Sequence, residues 1–298
     1  MSDQLFPEAP GQKFYSTLPE AVYRALPYCN QSLLKLLAQG KTPAHIQQER
    51  DNPGPATPAM KMGSLIHWAI LQPELFFSEC IVAPSDDKRT KAYKEALDTL
   101  PPGKELVTPG DYDEIVAIAK SARAHPVVRL FLAELGSNNA SAEGVGIWRT
   151  RSVSDGDAEA ECDTPYPVWC KIRPDLWCPR LKTIIDLKTT TQSADRENFQ
   201  RIVYDYGYHL QAGFYVEGMR RLGYAVENYV IIAIERSAPH LVAAYHLLPE
   251  VVNFGWQQLQ EPLRVWAECA HYNEWPGYDD QLVSLALPPW AMRDVPLE

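Results

Sequence analysis

The chain is short of positive charge. Its 298 residues carry 28 Lys and Arg against 38 Asp and Glu, a net charge of −10. That balance argues against a protein that clings to nucleic acid over its whole surface, because phosphates are drawn to positive fields. It leaves room for one local basic groove. Long apolar runs are also lacking, and nothing approaches the roughly 18 apolar residues that suggest a membrane span. The opening MSDQLFPEAPGQKFYS has neither a basic start nor an apolar core, so no secretory signal is expected. The six cysteines, Cys29, Cys80, Cys162, Cys170, Cys178 and Cys269, include no C-x-x-C pair. Cys162, Cys170 and Cys178 recur at even intervals that do not fit the usual zinc or iron–sulfur spacings. A chain of this length does not need a disulfide framework either. A reduced, cytoplasmic protein is therefore expected. No repeats or low-complexity tracts appear.

What is present supports a sizeable core: 46% hydrophobic residues, with 8 Trp and 15 Tyr as large burial units. Residues 1–27, rich in Pro with scattered aromatics, read as an extended arm. Asn30-Gln31-Ser32 caps a helix over Leu33–Ala38 that Gly40 stops. A second helix runs from about Ala59 to Leu71, and in it Gly63 and His67, four apart, share a face. By itself His67 reads as a core histidine. Ile81–Pro84 reads as a short strand, and the basic segment after it as a helix opened by Thr90. Helices follow over Thr108–Ala124 and Val127–Leu135, then a strand over Ala142–Thr150 carrying Glu143. An acidic stretch, 152–164, leads into the centre of the chain.

That centre is Val168–Thr190, VWCKIRPDLWCPRLKTIIDLKTT. It is expected to form a β-hairpin, with strands Val168–Trp177 and Thr183–Lys188 around a turn at Cys178–Lys182. Side chains alternate along a strand, so Asp186 and Lys188 share a face and Leu187 points away. Pairing across the turn brings Asp175 beside Asp186. Two carboxylates and an ammonium on one face are the minimum set for holding a hard divalent cation and acting on a water. A bare D-x-K is more often a surface ion pair, but Ile184-Ile185 ahead of Asp186 points to burial. A buried Asp–Asp–Lys set without a role would carry a desolvation cost with little return. Locally, Lys171, Arg173, Arg180, Lys182, Lys188, Arg196 and Arg201 outnumber the acids.

A helix broken near Asp205-Tyr206-Gly207 follows, then an amphipathic helix over Tyr208–Leu222. Tyr208, Gln211 and Tyr215 lie at i, i+3 and i+7 on it, one stripe. Strands at Asn228–Ile234 and Val242–Leu247, a helix over Pro249–Tyr272 and an irregular aromatic tail complete the chain. The order of elements suggests an α/β fold with a central mixed sheet flanked by helices.

Taken in order, these residues resemble the PD-(D/E)XK nuclease superfamily, and within it the RecE-type, exonuclease VIII-like 5′→3′ exodeoxyribonucleases. The resemblance covers nearly the whole chain. It rests on Gly63-x-x-x-His67, Leu71-x-Pro73-Glu74-x-Phe76, Arg89-Thr90 with Lys94, and the Glu143 strand ending in Trp148. It continues through Cys170-Lys171-x-Arg173-Pro174-Asp175, Asp186-x-Lys188-Thr189-Thr190, Tyr208-His209-x-Gln211-x-x-x-Tyr215, Glu274-Trp275-Pro276 and Leu287-Pro288-x-Trp290-Ala291. The acidic insertion at 154–163 departs from the pattern, and the cysteines of the iron–sulfur nucleases of this superfamily are missing.

The resemblance implies one nuclease domain over 1–298, with an arm and helix at 1–58, a core at 59–248 and a C-terminal helix and tail at 249–298. It implies that His67, Asp175, Asp186 and the Leu187 carbonyl bind Mg²⁺, with Mn²⁺ as a substitute. Lys188 would act on the nucleophilic water, and Glu143 would aid a second metal or orient water. Gln211, Tyr208 and Tyr215 would line the site. Lys171, Arg173 and Tyr208 would contact DNA, while Arg89, Thr90 and Lys94 would hold its backbone or 5′-phosphate. The implied partners are double-stranded DNA ends, a ring of three or four copies and a single-strand annealing protein, in the cytoplasm of a bacterial or phage-infected cell. The competing reading is a non-catalytic DNA-end or recombination-partner module on the same fold. The intact Asp175, Asp186 and Lys188 favour the enzyme.

Overall fold

A computed structural model describes residues 11–151 and 164–288. Cys162, the acidic 154–163 insertion and the Trp290-Ala291 pair lie outside the described residues.

The arm expected at the N-terminus is in part ordered secondary structure. Strand β1 (Lys13–Tyr15) is followed by helix α1 (Glu20–Ala25). Helices α2 (Gln31–Ala38), α3 (Pro43–Asp51) and α4 (Pro58–Leu71) come next. Asn30 caps α2 as its sequence predicts, its side chain accepting from the Leu33 N–H. Helix α5 (Pro73–Glu79), strand β2 (Cys80–Val82), helix α6 (Lys91–Asp98) and strand β3 (Glu105–Val107) lead to helices α7 (Pro109–Ala124) and α8 (Pro126–Gly136).

The middle of the chain departs from the expected hairpin in one instructive way. Val168–Trp177 is not one strand but two, β6 (Trp169–Ile172) and β7 (Leu176–Cys178). Pro174 has no N–H for a ladder, so the chain leaves one sheet at Arg173 and enters the other at Leu176. The same happens in Ala142–Thr150, which divides into β4 (Ser141–Ala142) and β5 (Val145–Arg149). Glu143 sits at that break with φ of 56°, a left-handed conformation uncommon outside glycine. Strands β1, β5 and β6 make a small antiparallel sheet. Strands β7 and β4 join the main one.

The main sheet has the order β10-β9-β8-β7-β4, where β8 is Thr183–Thr190, β9 is Asn228–Glu235 and β10 is Val242–Leu247. It is mixed: β8 runs parallel to β9 and antiparallel to β7, and β9 and β10 are antiparallel. Helices α9 (Arg196–Asp205) and α10 (Tyr208–Arg221) connect β8 to β9, and α11 (Pro249–Tyr272) closes the described fold.

Alternation along the central strands builds two cores. Ile184, Tyr229 and Ile231 face α2, α10 and α11, and pack with Leu34, Phe214 and Leu263. Ile185, Leu187, Ile232 and Ile234 face the other way, onto Ile66 and Ile70 of α4, Ile115 and Ile118 of α7 and Phe131 of α8. Asp186 and Lys188 therefore stand on the α10 side, Leu187 on the α4 side. The result is a mixed sheet between two helical layers. Among the described residues no helix is long and apolar enough to cross a membrane.

Candidate metal centre

Both chain breaks lie where the small sheet meets the large one, and they deliver the carboxylates. The Glu143 N–H donates to the Asp175 carbonyl at 2.9 Å, which ties the two breaks together. The Asp175 side chain then turns to β8 and accepts the Leu187 N–H at Oδ2, 2.7 Å away. Its other oxygen faces His67 Nδ1 of α4 at 3.4 Å. His67, Glu143 and Asp175 each offer a ligand atom, and these atoms all lie within 4.8 Å of one another. Their side chains are 20%, 16% and 13% exposed, so a cation can reach them from solvent, whereas Asp186 is 2% exposed.

Asp186 belongs to a second, closed set. Its Oδ2 lies 2.6 Å from Lys188 Nζ, and its Oδ1 accepts from Gln211 Nε2 at 2.8 Å. Lys188 Nζ also donates to Gln211 Oε1 at 3.0 Å and sits 4.8 Å from the centre of the Tyr208 ring. The ammonium is thus held from three sides. The β7–β8 ladder ends at the pair Leu176–Ile185, and Asp175 and Asp186 are the next residue on each side of it, so the hairpin brings them close together. Beyond Ile185 this edge of β8 has no strand partner in β7. A residue in a strand points its N–H and C=O to the same edge. The Leu187 carbonyl therefore faces the side on which Asp175 meets its N–H.

The charges are crowded. Burial, together with the nearby Asp175, pushes the Glu143 carboxyl up to about 7 despite Arg173 and His67. Burial also dominates at Asp186 and raises it to about 6, although Lys188 opposes the shift. Asp175 moves the other way. Burial works against its charge, but His67, Lys188 and the Leu187 N–H hold it below the usual carboxylate range. His67 is disfavoured as a cation by burial, yet Asp175 and Glu143 lift it to about 9. Lys188 stays protonated for the same kind of reason: burial lowers it, and Asp186 and Asp175 more than reverse that. One imidazole and two converging carboxylates, one of them pushed towards its protonated form by burial and by the other, form a donor set that a divalent cation fits and would relieve.

Around this centre lies an open cavity of about 220 Å³ lined by Glu20, Tyr23, Arg24, Ser64, His67, Trp68, Glu143, Arg173, Asp175 and Tyr215. The cation-bearing residues predicted to contact DNA divide. Arg173 lines the cavity, with Nε 3.1 Å from Glu143 Oε2 and Nη1 3.4 Å from Glu20 Oε2. Lys171 does not face a ligand surface, which corrects the expectation from sequence. It is 5% exposed, and its ammonium donates to the carbonyls of Tyr23 at 2.8 Å and Leu26 at 2.7 Å. It binds the end of α1, and burial lowers its pKa to about 8. Arg89, Thr90 and Lys94 are not among the cavity-lining residues. Thr90 does open α6, but its hydroxyl already accepts the Tyr93 N–H and donates to the Asp87 carbonyl. Arg89 is 90% exposed and paired with Asp87 at 3.0 Å.

Glu20, Tyr23 and Arg24 are not legible as site residues in a Pro-rich stretch that reads as an arm. The Glu20–Arg24 pair at i, i+4 is the available signal for a helix there. Cys170 and Cys178 fall on β6 and β7, in different sheets.

A mixed sheet between helices, with an Asp at the end of one strand and Asp-x-Lys on the next, defines a protein of the PD-(D/E)XK superfamily. Residues 31–283 match the PDDEXK-like domain of unknown function (DUF3799), and the chain belongs to that family. Among solved structures, a "Putative exonuclease" from Eubacterium rectale aligns over 94% of this chain and 99% of its own, with a TM-score of 0.56 and 12% identity. That likeness is one of fold. The structure of SSO0001 covers 68% of this chain and 85% of its own at 14% identity, and its TM-score of 0.29 carries no argument. No curated protein matches.

Proposed function

We propose that this chain is a divalent-metal-dependent DNA exonuclease of RecE type, degrading linear double-stranded DNA from 5′ to 3′ and leaving 3′ single-stranded tails for strand annealing. The observation that carries the reading is the convergence of His67, Glu143 and Asp175 beside the Asp186–Lys188–Gln211 set. The polarity and the duplex substrate rest on the motif resemblance, and the name of the fold neighbour from Eubacterium rectale agrees with an exonuclease.

His67, Glu143 and Asp175 would hold Mg²⁺ or Mn²⁺, with Asp186 and the Leu187 carbonyl close by. When bound, the ion supplies a Lewis acid for the phosphodiester and lowers the pKa of water. Lys188 remains an ammonium, so it donates a hydrogen bond to the attacking water or to developing negative charge rather than removing a proton. Gln211 bridges Asp186 and Lys188 and would hold both in place. Arg173, which lines the same cavity, would be the cation that meets a phosphate oxygen there.

Digestion of duplex DNA labelled separately at its 5′ and 3′ ends, with and without Mg²⁺, tests the proposal. Mg²⁺-dependent release of the 5′ label first is expected. No cleavage in any divalent metal would overturn the enzyme reading in favour of a DNA-end-binding module. Release of the 3′ label first would overturn the polarity alone.

A further inference from the structure

Helix α1 lies ahead of the family-matched residues 31–283, yet it forms one wall of the cavity through Glu20, Tyr23 and Arg24. It is bound there by a buried contact: the Lys171 ammonium on the carbonyls of Tyr23 and Leu26, 4.7 Å from the centre of the Tyr23 ring. An ammonium inserted under a six-residue helix is a costly fastening for a segment with no task. What it fastens is Glu20. One Glu20 oxygen accepts from Arg24 Nε at 2.7 Å, and the other faces Arg173 Nη1 at 3.4 Å. Arg173 reaches Glu143 Oε2 through Nε at 3.1 Å and lies near the Glu143 carbonyl at 3.4 Å.

We propose that Glu20 is a positioning residue of the metal centre: by sharing the Arg173 guanidinium with Glu143, it keeps the Glu143 carboxylate available to a cation beside His67 and Asp175. The physical reason is competition. A guanidinium that faces one carboxylate forms a two-pronged pair with both oxygens. With Glu20 removed, Arg173 would be free to close on Glu143 in that manner and neutralise it. With Glu20 in place the arginine is divided between two acids and orients Glu143 without withdrawing it. Glu143 stands in a left-handed backbone conformation between two strands, with Arg173 against both its carboxylate and its carbonyl. The inference rests on the metal-binding reading of the triad.

The test is Mn²⁺ binding to the metal-free full chain without DNA, by calorimetry and by the Mn²⁺ electron paramagnetic resonance signal. Glu20→Gln, nearly the same shape without the charge, should weaken binding about 10-fold, the lower range for residues that orient a metal ligand. Glu20→Asp, which retains the charge, should recover most of that loss. Glu143→Gln separates the two ideas. If it leaves Mn²⁺ binding unchanged, the triad is not the metal site and the inference falls with it. If Glu143→Gln weakens binding and Glu20→Gln does not, the metal site stands and the role of Glu20 is overturned. That role is equally overturned if Glu20→Gln weakens binding only in step with a lower melting temperature of the metal-free chain, or if Glu20→Asp is no better than Glu20→Gln.

Discussion

Lys188 is the residue on which the proposed chemistry would turn. Its ammonium is fixed by Asp186, Gln211 and the Tyr208 ring and is kept charged by two carboxylates. Lys188→Met retains the side-chain length and removes the donor. Nuclease activity should fall by at least ~10²-fold, as for loss of a donor aimed at developing charge. Circular dichroism and the elution volume should be unchanged, and full activity in the purified variant would refute the role. The protons of the centre make a second prediction. Asp186 and Glu143 have folded pKa values above the ordinary carboxyl values, so each stabilises the metal-free fold fully only below its ordinary pKa. That contribution is lost as pH rises through about 6 for Asp186 and about 7 for Glu143. The His67 contribution, present below its ordinary pKa, is lost through about 9. A cation needs the deprotonated ligands. Saturating Mn²⁺ should therefore raise the melting temperature more at pH ~8 than at pH ~5.5. Equal shifts at both pH values would show that these groups do not hold the ion.

At the scale of elements, two junctions matter. The first is α1 against β6. Lys171→Met should cost about 1.5–3 kcal/mol, the range for hydrogen bonds to a charged group. It should also increase amide exchange over residues 20–26 before the rest of the chain. Uniform exchange in both proteins would show that Lys171 does not fasten α1. The second is the crossing of α10 and α11, which is so close that a methyl group at Gly255 would run into the His209 carbonyl. Gly255→Ala should destabilise by about 1–3 kcal/mol, as overpacking does. This crossing lies behind α10, on the side away from Lys188, so activity per folded molecule should be retained. A Gly255→Ala protein with parental stability would show that the helices separate more easily than the structure implies.

At the scale of the whole molecule the question is how a chain of net charge −10 would engage the DNA proposed as its substrate. We propose, from the family resemblance, a ring of three or four copies, which would answer it by placing acid outside and the cavity walls inside. The segment after α11 offers material for such contacts: Tyr278, Leu282, Val283, Leu285 and Leu287 are each at least 64% exposed. Exposed apolar residues grouped in this way mark association surfaces. Sedimentation at micromolar concentration should give a trimer or tetramer. A monomer that still digests DNA processively would sink the ring.

Local pattern in the chain was enough to say which residues alternate and which must be buried. The apolar alternation along β8 and β9 dictated two cores, and that periodicity placed Asp186 and Lys188 on one face with Leu187 on the other. It also set the stripe of Tyr208, Gln211 and Tyr215, because strand and helix periods are local properties of the backbone. The approach of Asp175 to Asp186 was legible too, since a short turn fixes register as far as the Leu176–Ile185 pair. The rest depended on long-range packing. Pro174 and the left-handed Glu143 break two expected strands and move their halves into different sheets, a choice that depends on which neighbours are present to pair. The same packing turned Lys171 inward under α1 and placed Glu20 at the cavity wall. It also divided the acids into an open group with His67 and a closed one with Lys188. Those outcomes follow from contacts between residues far apart in the chain, as in the bond of Lys171 to Tyr23 across 148 positions, and local pattern carries no information about which distant partner wins.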